Sequence, residues 1–327
     1  MNRFLTVIAM FLISAAAYGQ EYPQAEISNK WIRANLYLPD AEKGYYRATR
    51  FDWSGVIQSL RFSGHEYFGP RLPQHDPLVH NSISGPVESF GANLGYAEAE
   101  PGGSFVRIGI GILEKPAGPD LRPVPSGTYV TYKVLDAGGW RVSKGSDWIE
   151  FVQKVPNRTG YSYVYTKRIQ LAPDAPEMII FHTLENTGSK AIDGTQFNHN
   201  FLEIDRQPTG PGFAVRFPFE PRITSVEGDS QVLAARGNEL VVLKAPQGEE
   251  MALATVQGYG TTAKHYDISV ENRNSGAGVR ITADRPLTSL RVYAIKVSLA
   301  PEPFIRLQIP PGNTEKWETR YSFYTLK

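Results

Sequence analysis

Short runs of alternating apolar and polar residues recur along the chain and predict β-strands. Residues 105–110, 161–165 and 290–295 alternate with the period of two that places successive side chains on opposite faces of a sheet. Turn-forming groups rich in Gly, Pro and Asn separate these runs, as at residues 156–160 and 310–313. No segment shows a sustained helical period with caps. The pattern predicts an all-β fold, a large antiparallel β-sandwich with long loops.

The spacing of the predicted strands bears on domain organisation. The strands are unequal in length and irregularly spaced, and no repeat of the kind that a propeller or solenoid requires is present. No linker, charge block or low-complexity tract marks a boundary between domains. Large all-β sandwiches routinely reach about 200–250 residues or more as one domain, so length alone does not decide. We therefore expect a single domain over residues 20–327.

Residues 1–19 have the pattern of a secretory signal peptide. Arg3 supplies the positive start, residues 4–13 form an almost unbroken apolar run, and residues 17–19 are suited to a cleavage site. The run is too short to span a bilayer in the mature protein. The pattern predicts cleavage and a bacterial protein that is periplasmic or secreted.

Charge and cysteine content exclude several classes of partner and chemistry. Removing Arg3 with the signal peptide leaves 33 of the 34 basic residues against 33 acidic ones, and no run of Lys and Arg occurs. A nucleic-acid partner is not expected from such a surface. No later stretch is apolar enough for a membrane span. The chain has no Cys, which excludes disulfides, Cys-ligated zinc and a thiol nucleophile.

Two of the six histidines stand out in the strand pattern. His182 lies within the apolar run 179–184, on the same predicted face as its apolar neighbours, and is interpreted as a core residue. His199 lies instead between Asn198 and Asn200, whose amides can hydrogen-bond an imidazole and sugar hydroxyls alike. His199 is therefore a candidate acid–base residue, and the alternative is a hydrogen-bonded cluster at a strand end.

Other candidate side chains lie in loops. Residues 64–91 form a predicted long loop over one face, which includes Arg71 and His80. Glu302 lies between two prolines after the predicted strand 290–297, where the rings fix the backbone, although such glutamates also occur as ordinary surface corners. No serine-nucleophile elbow, zinc-protease motif, phosphate loop or dinucleotide fingerprint is present. We predict no metal and no cofactor.

Several ordered stretches resemble the aldose 1-epimerases, or galactose mutarotases. They comprise residues 55–67, residues 184–188 with 197–201, residues 278–294, and residues 300–323. The resemblance implies a galactose mutarotase-like sandwich that interconverts sugar anomers without a cofactor. His199 falls at the family's general-acid histidine, and Glu302 falls at its general-base glutamate.

The chain departs from the family in its sugar-contacting segments. The usual Asn-Arg segment and His-Gly-Gly loop are not visible, and Arg71 and His80 stand there by position. Asp267 is the candidate for the substrate-clamping aspartate. With Asn198 and Asn200, these residues form the predicted substrate-binding set for a mono- or oligosaccharide.

Two other function classes remain open from sequence. A glycosidase or lyase could use the same cleft, with a second carboxylate from Glu88, Glu203 or Asp205 beside Glu302. A non-catalytic carbohydrate-binding protein could stack sugars on its Trp and Tyr side chains and use His199 and Glu302 only as hydrogen-bonding contacts.

Overall fold

The computed structural model describes residues 22–118 and 131–327, so the predicted signal peptide lies outside the described residues. Strands dominate the regular structure, and short 3-10 helices occur at Ile204–Arg206 and Ala263–His265. Within the described ranges, no helix has the length and apolar character needed to cross a membrane.

The strands follow one another along the chain with few interruptions. The first half contains β1 (Gln24–Ser28), β2 (Ile32–Tyr37), β3 (Val56–Phe62), β4 (His65–Glu66), β5 (Gly85–Phe90), β6 (Ser104–Arg107), β7 (Gly111–Glu114), β8 (Val134–Asp136), β9 (Gly139–Lys144), β10 (Trp148–Val155) and β11 (Tyr163–Leu171). The second half contains β12 (Glu177–Asn186), β13 (Ile192–Phe201), β14 (Phe213–Arg216), β15 (Arg222–Gly228), β16 (Leu233–Arg236), β17 (Glu239–Val242), β18 (Met251–Gln257), β19 (Asp267–Asn272), β20 (Ala277–Ala283), β21 (Ser289–Ile295), β22 (Ser298–Ile309) and β23 (Thr314–Thr325).

Two large antiparallel sheets form the sandwich. One has ten strands in the order β16-β17-β14-β19-β20-β23-β12-β11-β10-β9, and the other has six in the order β15-β18-β21-β22-β13-β5. Smaller sheets are built from β1–β4 and from β6–β8. The predicted all-β antiparallel sandwich is confirmed.

Strand alternation fills the space between the two large sheets. Along β11 every second residue is buried, and β12 and β21 alternate in the same way. Buried side chains from both sheets form one apolar cluster, which includes Ile169, Ile180, Leu290 and Val292. Removing such a side chain from water contributes roughly 1.5–3 kcal/mol each, which makes this cluster the main source of stability.

A network of charged side chains also lies between the sheets. Lys167 on β11 contacts Asp52 at 2.8 Å and Glu88 of β5 at 2.5 Å, and it donates a hydrogen bond to the Ser54 carbonyl. The Glu88 carboxylate also contacts His182 of β12 at 2.9 Å. Although burial opposes its charge, Lys167 and His182 hold the pKa of Glu88 well below its usual range. The network therefore joins the two sheets through buried ion pairs that satisfy one another.

A second apolar cluster covers the outer face of the six-stranded sheet. Residues of the segment before β3 pack there, including Tyr46, Phe51 and Trp53, and they meet Val87 of β5 and Phe201 of β13. The face of β13 that points away from the main core is consequently buried as well.

We expect Lys167→Met to destabilise the protein strongly. The change leaves the Asp52 and Glu88 carboxylates buried without their cation, a loss that costs about 3–5 kcal/mol. The exposed Lys154 of β10 provides a matched control, because Lys154→Met should change the free energy of unfolding by less than about 0.5 kcal/mol. Urea unfolding of both variants measures the difference, and equal stabilities would contradict a structural role for the network.

Candidate functional site

The candidate site lies at an interruption between two neighbouring strands. β13 and β22 pair in one antiparallel register as far as Phe197 and Phe304, and a single bridge between Leu202 and Leu299 resumes that register. Between these contacts no ladder pairs are formed by the two strands. Residue 199 stands opposite residue 302 in this gap.

Two prolines explain the interruption. The Pro301 carbonyl accepts a hydrogen bond from the Asn200 side chain at 2.9 Å, so the polar edge of residue 301 points toward β13. Residues two apart in a strand direct their backbone N–H and C=O groups to the same side, so the backbone of Pro303 also faces β13. Proline has no N–H, and neither residue can donate to a ladder on that side. The Asn200 amide bridges the gap in place of a backbone donor.

His199 and Glu302 form a direct pair within this gap. His199 Nε2 lies 2.9 Å from Glu302 Oε1, and both residues are buried, with 2% and 4% of their surface exposed. His199 Nδ1 is also buried, and it has no hydrogen-bond partner among the described residues. Nε2 therefore donates to the carboxylate, while Nδ1 retains its lone pair. The sequence placed Glu302 after a strand; the structure places it inside β22.

Aromatic rings enclose this pair. The His199 imidazole stacks on Phe201 with ring centroids 3.6 Å apart, and it meets the edges of Phe51 and Tyr293 at 5.8 and 5.5 Å. The guanidinium of Arg71 lies 3.8 Å from the centre of the Phe201 ring. The pair thus sits in a largely apolar, water-excluding environment with arginine nearby.

Burial sets the charge state of the pair. Desolvation lowers the pKa of His199 to about 4, and the positive charges of Arg50 and Arg71 act in the same direction, against the opposing effect of Glu302. Burial would raise the pKa of Glu302, but His199, Arg50 and Arg291 together lower it. At neutral pH the site consequently holds a neutral imidazole and a carboxylate.

The structure brings one predicted substrate-binding residue to this pair. Arg71 is buried against Phe201, on the segment between β4 and β5, as the long-loop prediction suggested. His80 lies on the same segment, where its Nε2 is 2.8 Å from the Thr131 hydroxyl and its carbonyl accepts a hydrogen bond from Tyr46.

Asn198 and Asn200 point to the opposite face of β13 from His199. Asn198 donates to Glu88 at 3.3 Å, and Asn200 accepts a hydrogen bond from Tyr321 at 2.7 Å, both between the two large sheets. These contacts leave neither amide available to a ligand at His199. Because the side-chain period of a strand is two, direct sequence neighbours of a site residue face away from it.

Asp267 lies apart from the pair as well. It begins β19 of the ten-stranded sheet and is held by Arg280 through two hydrogen bonds of 2.7 and 2.6 Å. The structure therefore places it in a surface ion pair, away from the six-stranded sheet that carries His199.

The carboxylates considered for hydrolysis are also distributed over the molecule. Glu88 is part of the buried network around Lys167, and Asp205 contacts His65 at 2.9 Å. Glu203 lies two residues after the end of β13, and the charge of Arg71 favours its ionisation. Of the three, Glu203 is the one near the His199 side of the sheet.

An open groove of about 760 Å³ lies elsewhere, beside β1–β4. It is lined by the His65–Asp205 pair and by the exposed Trp31, among others. Asp205 has a left-handed backbone with φ of 56°, which is fixed because its carboxylate accepts the Glu66 N–H at 3.0 Å. These contacts attach the β3–β4 hairpin to the segment after β13, so we interpret the pair as structural.

Comparison with known proteins identifies the fold. No protein-family model matches this sequence, and no curated protein matches it. Among solved structures, a protein from Synechocystis sp. PCC 6803 aligns over 97% of this chain and 100% of its own, with a TM-score of 0.57 and 11% identity. A galactose mutarotase-like protein from Clostridium acetobutylicum aligns over 92% and 95%, with a TM-score of 0.55 and 11% identity. This chain has the galactose mutarotase-like fold.

A third match agrees. An aldose epimerase homologue from C. elegans aligns over 94% of this chain and 100% of its own, with a TM-score of 0.52 and 13% identity. The galactose mutarotase-like fold that the sequence resemblance predicted is therefore confirmed. Identities this low establish the fold alone, and the chemistry of this galactose mutarotase-like chain rests on its own residues.

The depressed pKa of His199 makes the stability of the protein depend on pH. Between the ordinary value of 6.5 and about 4, the unfolded chain binds a proton at this residue that the folded chain does not. Stability should fall as the pH drops through that window, by about 3 kcal/mol in all. Urea unfolding at pH 7, 6, 5 and 4 measures the loss. His199→Gln, which retains a donor for Glu302, should lack this contribution, and an unchanged pH dependence in that variant would contradict the assignment.

Proposed function

We propose that this protein acts on a carbohydrate and interconverts the anomers of a sugar, with Glu302 and His199 as its acid–base pair. The observation that carries the proposal is their 2.9 Å contact at the gap between β13 and β22, on a galactose mutarotase-like fold. The signal-peptide pattern of residues 1–19 supports export, so we propose that the reaction occurs outside the cytoplasm.

The reaction needs one group to accept a proton and another to supply one. In the proposed mechanism, Glu302 removes the proton from the anomeric hydroxyl while the imidazolium of His199 protonates the ring oxygen. The bond between the anomeric carbon and the ring oxygen breaks, and an open-chain aldehyde forms. Rotation about the C1–C2 bond and reclosure give the other anomer, with both protons returned to the groups that held them at the start.

A sugar can reach the His199–Glu302 pair only if the side chains that cover the pair move. Both residues are nearly inaccessible, and Phe51 and Arg71 lie over the same face of β13. We propose that the sugar takes the place of these side chains against Phe201 and Tyr293. An aromatic surface of this kind suits the apolar face of a sugar ring, with hydrogen bonds at its edges.

The same burial favours a second candidate function, a carbohydrate-binding protein without turnover. The Nδ1 lone pair of the neutral imidazole and the Glu302 carboxylate are acceptors suited to sugar hydroxyl groups. In that case His199 and Glu302 are contacts, and the cover controls access to a binding surface.

Polarimetry of freshly dissolved α-glucose and α-galactose tests the proposal. The wild-type protein should accelerate relaxation, and His199→Ala and Glu302→Gln should each lower the rate by about 10²–10⁴-fold, because each removes one proton-transfer group. His265→Gln, on a 3-10 helix of a different part of the chain, serves as the control and should retain full activity.

Other outcomes of this experiment separate the function classes. Relaxation equal to the buffer blank, with sugar binding that His199→Ala weakens, would leave the binding protein as the function. New reducing ends or an unsaturated product from an oligosaccharide would contradict both and indicate a glycosidase or lyase.

The proposed mechanism also predicts how kcat/KM depends on pH. If imidazolium is the reactive form of His199, the competent fraction of free enzyme grows as the pH falls toward about 4. The kcat/KM should then rise about tenfold per pH unit between pH 7 and 5, after subtraction of the buffer-catalysed rate. A flat or falling profile over this range would contradict the role of His199 as the acid.

A further inference from the structure

Unsatisfied polar atoms mark a region that the acid–base pair does not explain. Arg71 Nε and Glu203 Oε1 are buried and have no hydrogen-bond partner among the described residues, as is true of His199 Nδ1. Leaving a buried polar group unpaired costs about 1–3 kcal/mol, and more when the group is charged. Each such group requires an explanation, and a ligand that satisfies several neighbouring groups at once is one.

Glu203 is held firmly in this position. It follows the bridge between Leu202 and β22, and its N–H donates to the Tyr67 carbonyl at 3.0 Å. Its carboxylate packs on Gly69, where a Cβ atom would lie only 3.2 Å from Oε2. The residue is 6% exposed. The fold thus forces a carboxyl group into a buried place without giving it a full set of partners.

A cavity of about 250 Å³ opens at Glu203, which is large enough for a single pyranose ring. Two kinds of residue share its walls: apolar or uncharged ones, namely Pro70, Gln207, Pro208 and Val297, and the cations Arg206 and Lys296. Pro70 precedes Arg71, so the cavity borders the segment that covers His199.

Charged side chains of both signs lie near Glu203. Arg71, between β4 and β5, and Arg206 of the first 3-10 helix favour the ionisation of Glu203, whereas Glu66 of β4 opposes this ionisation. Lys296, in the turn between β21 and β22, lines the cavity. The Tyr45 phenol also lies within the field of Glu203. Burial outweighs the arginines and raises the pKa of Glu203 to about 8. At neutral pH the cavity consequently holds a neutral acid among cations.

We propose that this cavity binds the carboxylate of an acidic sugar, a uronic acid, to which neutral Glu203 donates a hydrogen bond. Lys296 and Arg206 supply the positive charge, although the Arg206 guanidinium also contacts Glu66 at 3.2 Å. Arg71, the residue after Pro70 of the cavity wall, lies over the Phe201 ring, against which His199 stacks. A neutral carboxylic acid can donate its proton in a hydrogen bond to a carboxylate, whereas two carboxylates repel each other. The inference rests on the proposed function, because it names the class of sugar presented to the same face of the sheet.

Methyl glycosides test this site without involving turnover, since they cannot open their rings. Isothermal titration should show methyl α-galacturonide or methyl α-glucuronide binding at least about tenfold tighter than the matching uncharged glycoside at pH 7, the gain of one charge-assisted hydrogen bond. Wild-type affinity for the uronide should weaken about tenfold from pH 7 to pH 9 as Glu203 ionises.

Matched variants separate Glu203 from its surroundings. Glu203→Gln retains a neutral donor, so the preference for the uronide should persist and no longer fall between pH 7 and 9. In Glu66→Gln, the loss of affinity for the uronide should still occur but at lower pH, because Glu66 raises the pKa of Glu203. Lys296→Gln should reduce the preference, whereas Lys244→Gln, in an exposed ion pair with Asp229, should not.

Three results would overturn the proposal: equal binding of uronide and uncharged glycoside at pH 7, including binding of neither; a wild-type affinity for the uronide that does not weaken between pH 7 and pH 9; or tighter binding of galactose 6-phosphate than of the uronide. Selective binding of the uronide without accelerated mutarotation of galacturonate, glucuronate, glucose or galactose would contradict the proposed reaction but support the proposed binding site.

Discussion

The absence of an N–H on Pro301 and Pro303 is the constraint on which the site depends. In an unbroken sheet, the strand residues at these positions would donate to β13 and draw the two backbones together. Here the ladder stops at Phe197 and resumes at Leu202, and no backbone donor on β22 is left unsatisfied in between. His199 and Glu302 face each other across this gap, with ordinary strands on either side. The His199–Glu302 pair is thereby held by rigid elements rather than by loops.

The two faces of β13 carry different chemistry, and the alternation of the strand keeps them apart. Asn198 and Asn200 join the interior network, where Lys167 compensates two carboxylates. His199 and Phe201 belong to the covered outer face. The charged groups of the interior network pair with one another, whereas on the outer face His199, Arg71 and Glu203 each keep a buried atom without a partner among the described residues. This contrast distinguishes a network that stabilises the fold from a region that is suited to a ligand.

The sequence predicted the fold class well, because a period of two and frequent turn residues depend only on local order. It also predicted that His182 is a core residue, as its contact with Glu88 confirms. Strand alternation alone implies that Asn198 and Asn200 face away from His199, but the partners that they and Asp267 meet could not be predicted, since these depend on how distant strands pair and pack. One signal was present and was missed: Lys167 occupies an inward position of the alternating strand β11, where a charge requires buried partners. Glu203 carried no such signal, because its burial results from the approach of Gly69 across the chain.

The common register of β13 and β22 has a consequence for how this protein can evolve. Deleting or inserting one residue in β13 would turn every later side chain of the strand to the other face. The imidazole would then enter the interior beside Lys167, and an amide would replace it opposite Glu302. A change in length between Phe197 and Leu202 therefore disturbs the pair far more than a substitution does, whereas the segment between β4 and β5 can lengthen without shifting the register of β13 and β22.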